Sequence, residues 1–506
     1  MALGEVVTEI ARRWPGRTAM VASGGWHLTT SELDRGSDEA AVGLVARGVR
    51  PGHVVALVLP STPDYLVAYA ALAKLGAIAA GVNPRLAPPE RTTLVSQVAR
   101  ADHALVTSEL AEGLCFDCDV TTIGVAQEPH ELLAQIRVAD ATPPQLPPDP
   151  DRVVAVVFTS GTTGRPKAAA FTAAQLEANG RIDRGNGWGE GGPITANTQF
   201  CHVGFMAKVA AQLAAGTTLH VIEPWRARSV LDAVATHRMP AVGGVAPQLA
   251  LMLREPDFDD FDFSAVRLVV CGGAPAAPGL IEEATSRFGA GWTQRYSCTE
   301  SGGIGTFTSP AATMDERLFT IGRPRPGVDL RIAPASGADG GVGDVGEVCL
   351  RSAAVMQGYW CDPEATAATL RDGWLHTGDQ GFVDDRGNLH LVGRRGDGWS
   401  RGGYVVFPAE IEHVLTWHPK VAQVAVVPRP DAVMGDIGVA VVVPTNRDDP
   451  PNLDELRRFA ADHLARFKLP EALRLVGALP TTAMLKIDRR ALIDVEALPP
   501  ETPRPS

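Results

Sequence analysis

The sequence predicts an α/β protein with a large N-terminal body of helices packed on sheets, followed by a smaller C-terminal unit. Three observations carry this expectation. Apolar strand-like runs at 54–58, 104–107, 153–158, 218–222 and 268–271 alternate with alanine-rich helical stretches, the pattern of helices packed on sheets. At 506 residues the chain is too long for a single compact core. Two punctuated stretches then interrupt the alternation.

The first, residues 141–150, reads A-T-P-P-Q-L-P-P-D-P; five of its ten residues are proline and lack a backbone donor, so it is a linker. The second, residues 393–403, holds five glycines among charged residues. It divides the chain into a body to about residue 395 and about a hundred C-terminal residues. The most apolar stretch, 65–82, contains Lys74 and Gly76 and reads as a buried helix entering a strand, not as a membrane span.

Composition excludes several classes. With 58 acidic and 46 basic side chains the formal charge is -12, and no basic run offers a footing for a polyphosphate backbone, so nucleic acid is not an expected partner. Seven scattered cysteines form no disulfide framework and suit a reducing cytoplasm. Cys115 and Cys118 stand as C-x-x-C without a second pair at zinc-ligand spacing, and read as two half-buried thiols. Glu5 and Glu9 near the start argue against a secretory leader.

The chemistry begins after the run at 153–158, with Thr159-Ser160-Gly161-Thr162-Thr163-Gly164-Arg165-Pro166-Lys167. Four hydroxyls, two glycines that let backbone amides approach an anion, and one lysine make a cradle for phosphate oxygens. The spacing differs from that of the P-loop NTPases. Further along stand Gly272-Gly273-Ala274-Pro275, Tyr296-Ser297-Cys298-Thr299-Glu300, Gly373-Trp374-Leu375-His376-Thr377-Gly378-Asp379, Gly393-Arg394, Phe407-Pro408-Ala409-Glu410-Ile411-Glu412 and, near the end, Lys486. Each would be weak alone. In this order, from Leu28-Thr29-Thr30-Ser31-Glu32-Leu33 to Lys486, they resemble the adenylate-forming superfamily of acyl-CoA synthetases, firefly luciferase and the adenylation domains of peptide synthetases.

The resemblance implies an α/β fold of layered subdomains in residues 1–395, which bind ATP and the acyl substrate, with a smaller mobile α+β lid in residues 396–506, and it implies a function and a set of roles. The chain would convert a small-molecule carboxylate and MgATP to acyl-AMP and pyrophosphate, then transfer the acyl group to coenzyme A. The loop from Thr159 to Lys167 would hold the β- and γ-phosphates, and Gly273, Ala274 and Pro275 would lie against adenine. Tyr296 would stack on the base, Thr299 would touch the α-phosphate, and Glu300 would hold Mg2+ against the charge gathering on phosphorus. Asp379 would accept hydrogen bonds from the ribose hydroxyls, Arg394 would contact the nucleotide, and Asp397 would be the hinge. Lys486 would bridge carboxylate and α-phosphate. His202 would gate an acyl pocket lined by Val245, Ala246, Gly272, Gly302, Gly303 and Ile304, all small or apolar, which suits an aliphatic or aromatic tail.

The sequence departs from the family pattern at Trp399, at Tyr404-Val405, at Met484-Leu485 and at Ala168. The first two fall in the segment that the resemblance turns toward the site for thiol transfer, so the first half-reaction is the better supported. An acceptor other than coenzyme A (a carrier-protein thiol or an amine), an inorganic oxyanion as the acid, and a nucleotide-binding protein without turnover stay as alternatives, and a homodimer is left open. Residues 202–212 contain no acidic side chain to pair an ammonium, which points to an acid without an α-amino group.

Overall fold

The computed structural model describes residues 1–159, 166–185, 187–196, 198–273, 276–334, 340–394, 396–401, 404–431, 433–481 and 487–496. Among them, a seven-stranded sheet runs in the order Gly358–Tyr359, Lys167–Thr172, Val153–Thr159, Ile78–Gly81, Val54–Val58, His103–Thr107, Asp119–Ile123. Its centre is parallel, and all five residues of Val54–Val58 are buried. A strand covered on both faces requires such an unbroken apolar run. The stretch at 65–82 is indeed helix then strand: Pro63–Leu75 ends on Gly76 at φ 70°, and Ile78–Gly81 follows. Glycine tolerates that left-handed turn, which lets the helix stop where the strand must begin.

The segment Leu28 to Leu33 opens the helix Thr30–Ala46 with a reciprocal cap. Glu32 N–H donates to the Thr29 hydroxyl at 3.2 Å, and Thr29 N–H donates to the Glu32 carboxylate at 2.8 Å. A second sheet, Ala241–Gly244, Leu268–Gly272, Gly291–Tyr296, Thr306–Phe307 and Arg323–Pro324, is parallel in its first three strands and antiparallel after them. A third, largely antiparallel, carries Gly346–Arg351, Trp374–Val383 and Leu389–Arg394.

The C-terminal unit is a separate layer. Val421–Asp431 and Gly435–Pro444 form a long antiparallel pair, with Ala472–Leu475 added in parallel and the helices Pro408–Leu415 and Leu453–Ala461 against it. Its core includes Trp399, 5% exposed, whose indole lies 3.0 Å from where a Cβ on Gly438 would stand. Trp399 therefore fills the interior of this unit and offers no ring to a thiol substrate. The unit docks on the N-terminal body where Phe407 covers Gly393 and where the ring of Phe319 meets that of Trp417 at 5.0 Å. At the junction Gly396 takes φ 93°, and a Cβ there would meet nothing within 4 Å.

Candidate active site

The polar loop that follows Thr159 closes a hairpin. Val153–Thr159 pairs antiparallel with Lys167–Thr172, and Thr159 faces Lys167 across the ladder. The loop residues Ser160, Gly161, Thr162, Thr163 and Gly164 lie outside the described residues, as do Ala274, Pro275 and Lys486. The short strand Gly358–Tyr359 adds to the far side of this hairpin, with Tyr359 opposite Ala169. That register brings the Lys167 ammonium to 4.7 Å above the Tyr359 ring. The phenol donates to Glu300 Oε1 at 2.7 Å. Burial, and the Glu300 charge after it, push the Tyr359 hydroxyl well above its ordinary pKa, so it stays a donor.

Tyr296 ends the strand Gly291–Tyr296 and reaches the third sheet. Its hydroxyl donates to Asp379 Oδ2 at 2.6 Å and lies 3.2 Å from the Thr377 hydroxyl, and burial followed by the Asp379 charge raises its pKa. Asp379 and Arg394 are partners in the ladder between Trp374–Val383 and Leu389–Arg394, with Arg394 Nε 3.5 Å from Asp379 Oδ1. Glu347 fixes the turn before Asp379 by accepting from Gly378 N–H at 3.1 Å, and Thr377 donates to the Val348 carbonyl at 2.7 Å. Gly378, at φ 77°, permits that turn. Glu347, Cys349 and His376 bring their ligand atoms within 4.8 Å of one another, and the Arg371 guanidinium already sits 2.6 Å from His376 Nδ1. A fixed cation among these groups leaves a metal little to neutralise.

Thr299 and Glu300 occupy the turn after Tyr296, where Gly302 N–H donates to the Thr299 carbonyl at 2.9 Å. The structure thus forms two linked groups, Lys167 with Tyr359 and Glu300, and Tyr296 with Asp379 and Arg394, which the backbone from Tyr296 to Glu300 joins. Asp397 lies just beyond, donating its N–H to the Arg394 carbonyl at 3.0 Å.

The acyl side is assembled from a different set of turns. His202 precedes the helical turn Val203–Met206, and its carbonyl accepts from Phe205 N–H at 3.0 Å and Met206 N–H at 2.9 Å. Phe200 and Phe205 stack at 3.7 Å behind it. Val245 lies 3.3 Å from where a Cβ on Gly273 would project, Gly273 itself having φ 83°, and Ala246 begins the helix Ala246–Leu253. Gly272 sits beside Arg295 in the sheet register. Gly303 leaves room that Val203 and Lys208 border, each 3.6 Å from its missing Cβ.

Two expected lining residues face elsewhere. A Cβ on Gly302 would meet the Ala354 carbonyl at 2.7 Å, and Ile304 is 1% exposed in a core with Val328, Ile332 and Val348. The loop makes a left-handed turn at Gly302 and Gly303, φ 69° and 72°, which sends their neighbours inward and leaves only Gly303 open. Motif order does not single out Tyr359, Glu347 or Lys208. Lys208 is the most legible of the three, since it is a lone cation in an otherwise apolar run at 203–211.

The model of the AMP-binding enzyme family matches residues 7–360, and that of the AMP-binding enzyme C-terminal domain matches residues 410–486. Feruloyl-CoA synthase of Amycolatopsis is 34% identical over 96% of this chain and 97% of its own length. Among solved structures, o-succinylbenzoate CoA synthetase of Bacillus subtilis, bound to its acyl-adenylate intermediate, is similar with a TM-score of 0.83 at 26% identity, covering 96% of this chain and 97% of its own. An amide bond synthetase of Marinactinospora thermotolerans is similar with a TM-score of 0.86 at 28% identity, covering 98% and 99%. No described helix is long and apolar enough to cross a membrane. With a family model spanning well over half of the chain and a 34% identical relative along nearly all of it, this chain belongs to the AMP-binding enzymes, as an AMP-forming ligase of the acid–thiol type.

Proposed function

We propose that the enzyme condenses a carboxylic acid with MgATP to acyl-AMP and pyrophosphate, and then transfers the acyl group to coenzyme A. The observation that carries this is the linkage of Tyr296 to Asp379 and of Asp379 to Arg394, beside a Glu300 that Tyr359 and Lys167 hold in place. Asp379 offers the ribose hydroxyls an acceptor whose orientation two neighbours fix. Arg394 balances its charge. Glu300 accepts from Tyr359 through one oxygen, which leaves carboxylate lone pairs of the hard-oxygen type that Mg2+ prefers. When bound, that ion supplies positive charge at the phosphates. Lys167 and the loop from Ser160 to Gly164 hold the β- and γ-phosphates, Thr299 contacts the α-phosphate, and His202 stands at the entrance of the acyl cleft.

The division between the working parts falls at residues 395 and 396, with residues 396–506 a lid that delivers Lys486 for adenylation and turns on Asp397. No side chain needs to bond covalently to the substrate, because positioning and charge stabilisation suffice. The setting is cytoplasmic, in keeping with seven cysteines that are all free.

The experiment is ATP–pyrophosphate exchange screened across acids, repeated with and without coenzyme A. Acid-dependent exchange and consumption of coenzyme A are expected. No exchange with any acid would overturn the adenylation reading. A second reading keeps adenylation and replaces the thiol by an amine; the likeness to the amide bond synthetase favours it. Exchange without thioester formation, with amide appearing when amines are supplied, would select it.

A further inference from the structure

The small residues of the acyl cleft suggest an apolar tail, but charge gathers behind them. Asp183, on the helix Ala173–Arg184, is 9% exposed and pairs with three cations through the same oxygen. Arg325 Nη1 donates to Oδ1, and Arg325 Nη2 donates to the Asp183 carbonyl at 3.3 Å. Lys208 Nζ stands 3.5 Å from Oδ1 and Arg295 Nη1 stands 3.8 Å from it. Arg325 is therefore committed. Lys208 and Arg295 are held at the edge of hydrogen-bonding reach by a carboxylate that is already engaged.

One negative charge cannot neutralise three positive ones, and a buried cation needs compensation. Burial works against the Asp183 carboxylate, yet Lys208, Arg295 and Arg325 outweigh it and hold its pKa below the ordinary range. Burial, with repulsion from Arg295 and Arg325 added, draws the Lys208 ammonium down to about 8 in spite of Asp183. A site that keeps a lysine under these conditions gains by an incoming acceptor.

The location fits such an acceptor. Lys208 Cε lies 3.6 Å from the missing Cβ of Gly303, and Arg295 flanks Gly272 with its side chain still 38% exposed. At Gly303 no side chain stands between the backbone and Lys208, and at Gly272 none stands between it and Arg295.

We propose that Lys208, with Arg295 beside it, forms a polar end wall of the acyl cleft and selects acids whose tail carries an oxygen acceptor. This rests on the adenylation reading and narrows its substrate class. It replaces the expectation of a purely aliphatic or aromatic tail. It also bears on α-amino acids, because the nearby carboxylate, Asp183, is already shared by three cations and is not free to pair an ammonium.

The test uses the full-length enzyme and three aryl propanoates of matched size, carrying a para hydrogen, a para hydroxyl or a para carboxylate, each followed by pyrophosphate exchange. The oxygen-bearing acids are expected to exceed the unsubstituted one in kcat/KM by at least about tenfold, the scale on which a site built to hydrogen-bond rejects a ligand that lacks the group. The hydroxyl and carboxylate arms separate a neutral from an anionic tail. In Lys208→Met the ratio of oxygen-bearing to unsubstituted acid should collapse, mainly through KM, and Lys208→Gln, which keeps a donor, should restore part of it for the hydroxyl. Circular dichroism and ATP binding report whether each variant is folded. Equal kcat/KM for the three acids in the wild type, or an unaltered ratio in folded Lys208→Met, would overturn the inference. Exchange with any of the acids would leave the adenylation reading standing in either case.

Discussion

The two walls of the cleft handle charge in opposite ways. On the nucleotide side the central charges are carboxylates, Glu300 and Asp379, each steadied by a tyrosine hydroxyl, at 2.7 Å and 2.6 Å, with the cations Lys167 and Arg394 beside them. On the acyl side they are cations, Lys208, Arg295 and Arg325, steadied by the single carboxylate of Asp183. A neutral donor orients a carboxylate without cancelling its charge, which at Glu300 leaves the full charge for a cation, whereas Arg394 balances that of Asp379. A shared carboxylate cancels only part of the charge around it, which leaves attraction for an acceptor. Orientation and neutralisation are thus separate tasks, and the cleft assigns them to different residue types.

The largest break in this contrast is to remove Lys486, the cation proposed to act on the nucleotide side. Lys486→Ala should slow adenylate formation about a thousandfold while ATP binding changes only a few-fold, because its contacts strengthen as charge develops. Exchange kinetics set beside equilibrium nucleotide titration would check this, and a wild-type exchange rate would remove Lys486 from the mechanism. Next, Glu300→Gln keeps the shape and the tyrosine contact but loses the charge; a fall of about a hundredfold at fixed Mg2+, partly recovered at high Mg2+, is expected. An unchanged magnesium titration would count against Glu300 as the ligand.

A third case lies outside both walls, where a buried histidine meets other histidines. His220 is 6% exposed and its ring packs at a tilt against that of His237 at 4.0 Å, and burial, then the His237 and His27 charges, lower its pKa to about 4. The unfolded chain binds that proton below pH 6.5 and the folded chain does not. Stability is therefore full above pH 6.5 and is lost as pH falls toward 4, by on the order of 2 kcal/mol at pH 5. Urea unfolding of the wild type and His220→Gln between pH 7 and pH 5 should show a shallower loss in the variant. The smallest effect sharpens the contrast: Tyr359→Phe removes only the orienting hydrogen bond, and about 1 kcal/mol, roughly fivefold in turnover with magnesium affinity nearly kept, is the expected cost. A loss as large as that of Glu300→Gln would mean that orientation and charge are not separable there.

Much of this organisation is legible in the sequence, and what escapes has definite causes. The run at 54–58 is apolar at every position because its strand is covered on both faces, and Gly76 marks the helix end because only glycine adopts that turn freely. Motif order points to Tyr296, Asp379 and Arg394, and the ladder pairing of Asp379 with Arg394 explains why that order matters. Tyr359 is not legible, since its partner Glu300 is brought to it by the addition of Gly358–Tyr359 to a sheet edge nearly two hundred residues away in sequence. Trp399 reads as a departure near the thiol site; its spacing cannot say which face of its strand turns toward Gly438 and the core. Ile304 and Gly303 are adjacent and both small enough for a pocket wall, yet the left-handed turn opens one and buries the other.

Between the body and the C-terminal unit, Gly396 holds φ 93° in open surroundings, so a methyl group there would meet no atom of the described residues beyond its chain neighbours. Gly396→Ala thus alters a torsional preference and no contact, at about 1–2 kcal/mol for a non-glycine residue in that region. If adenylation and transfer use different settings of this joint, the substitution works as a dial on their relative occupancy, shifting it by roughly five- to thirtyfold. Single-turnover rates of the two half-reactions should then move in opposite directions, whereas a change caused by lost packing would depress both.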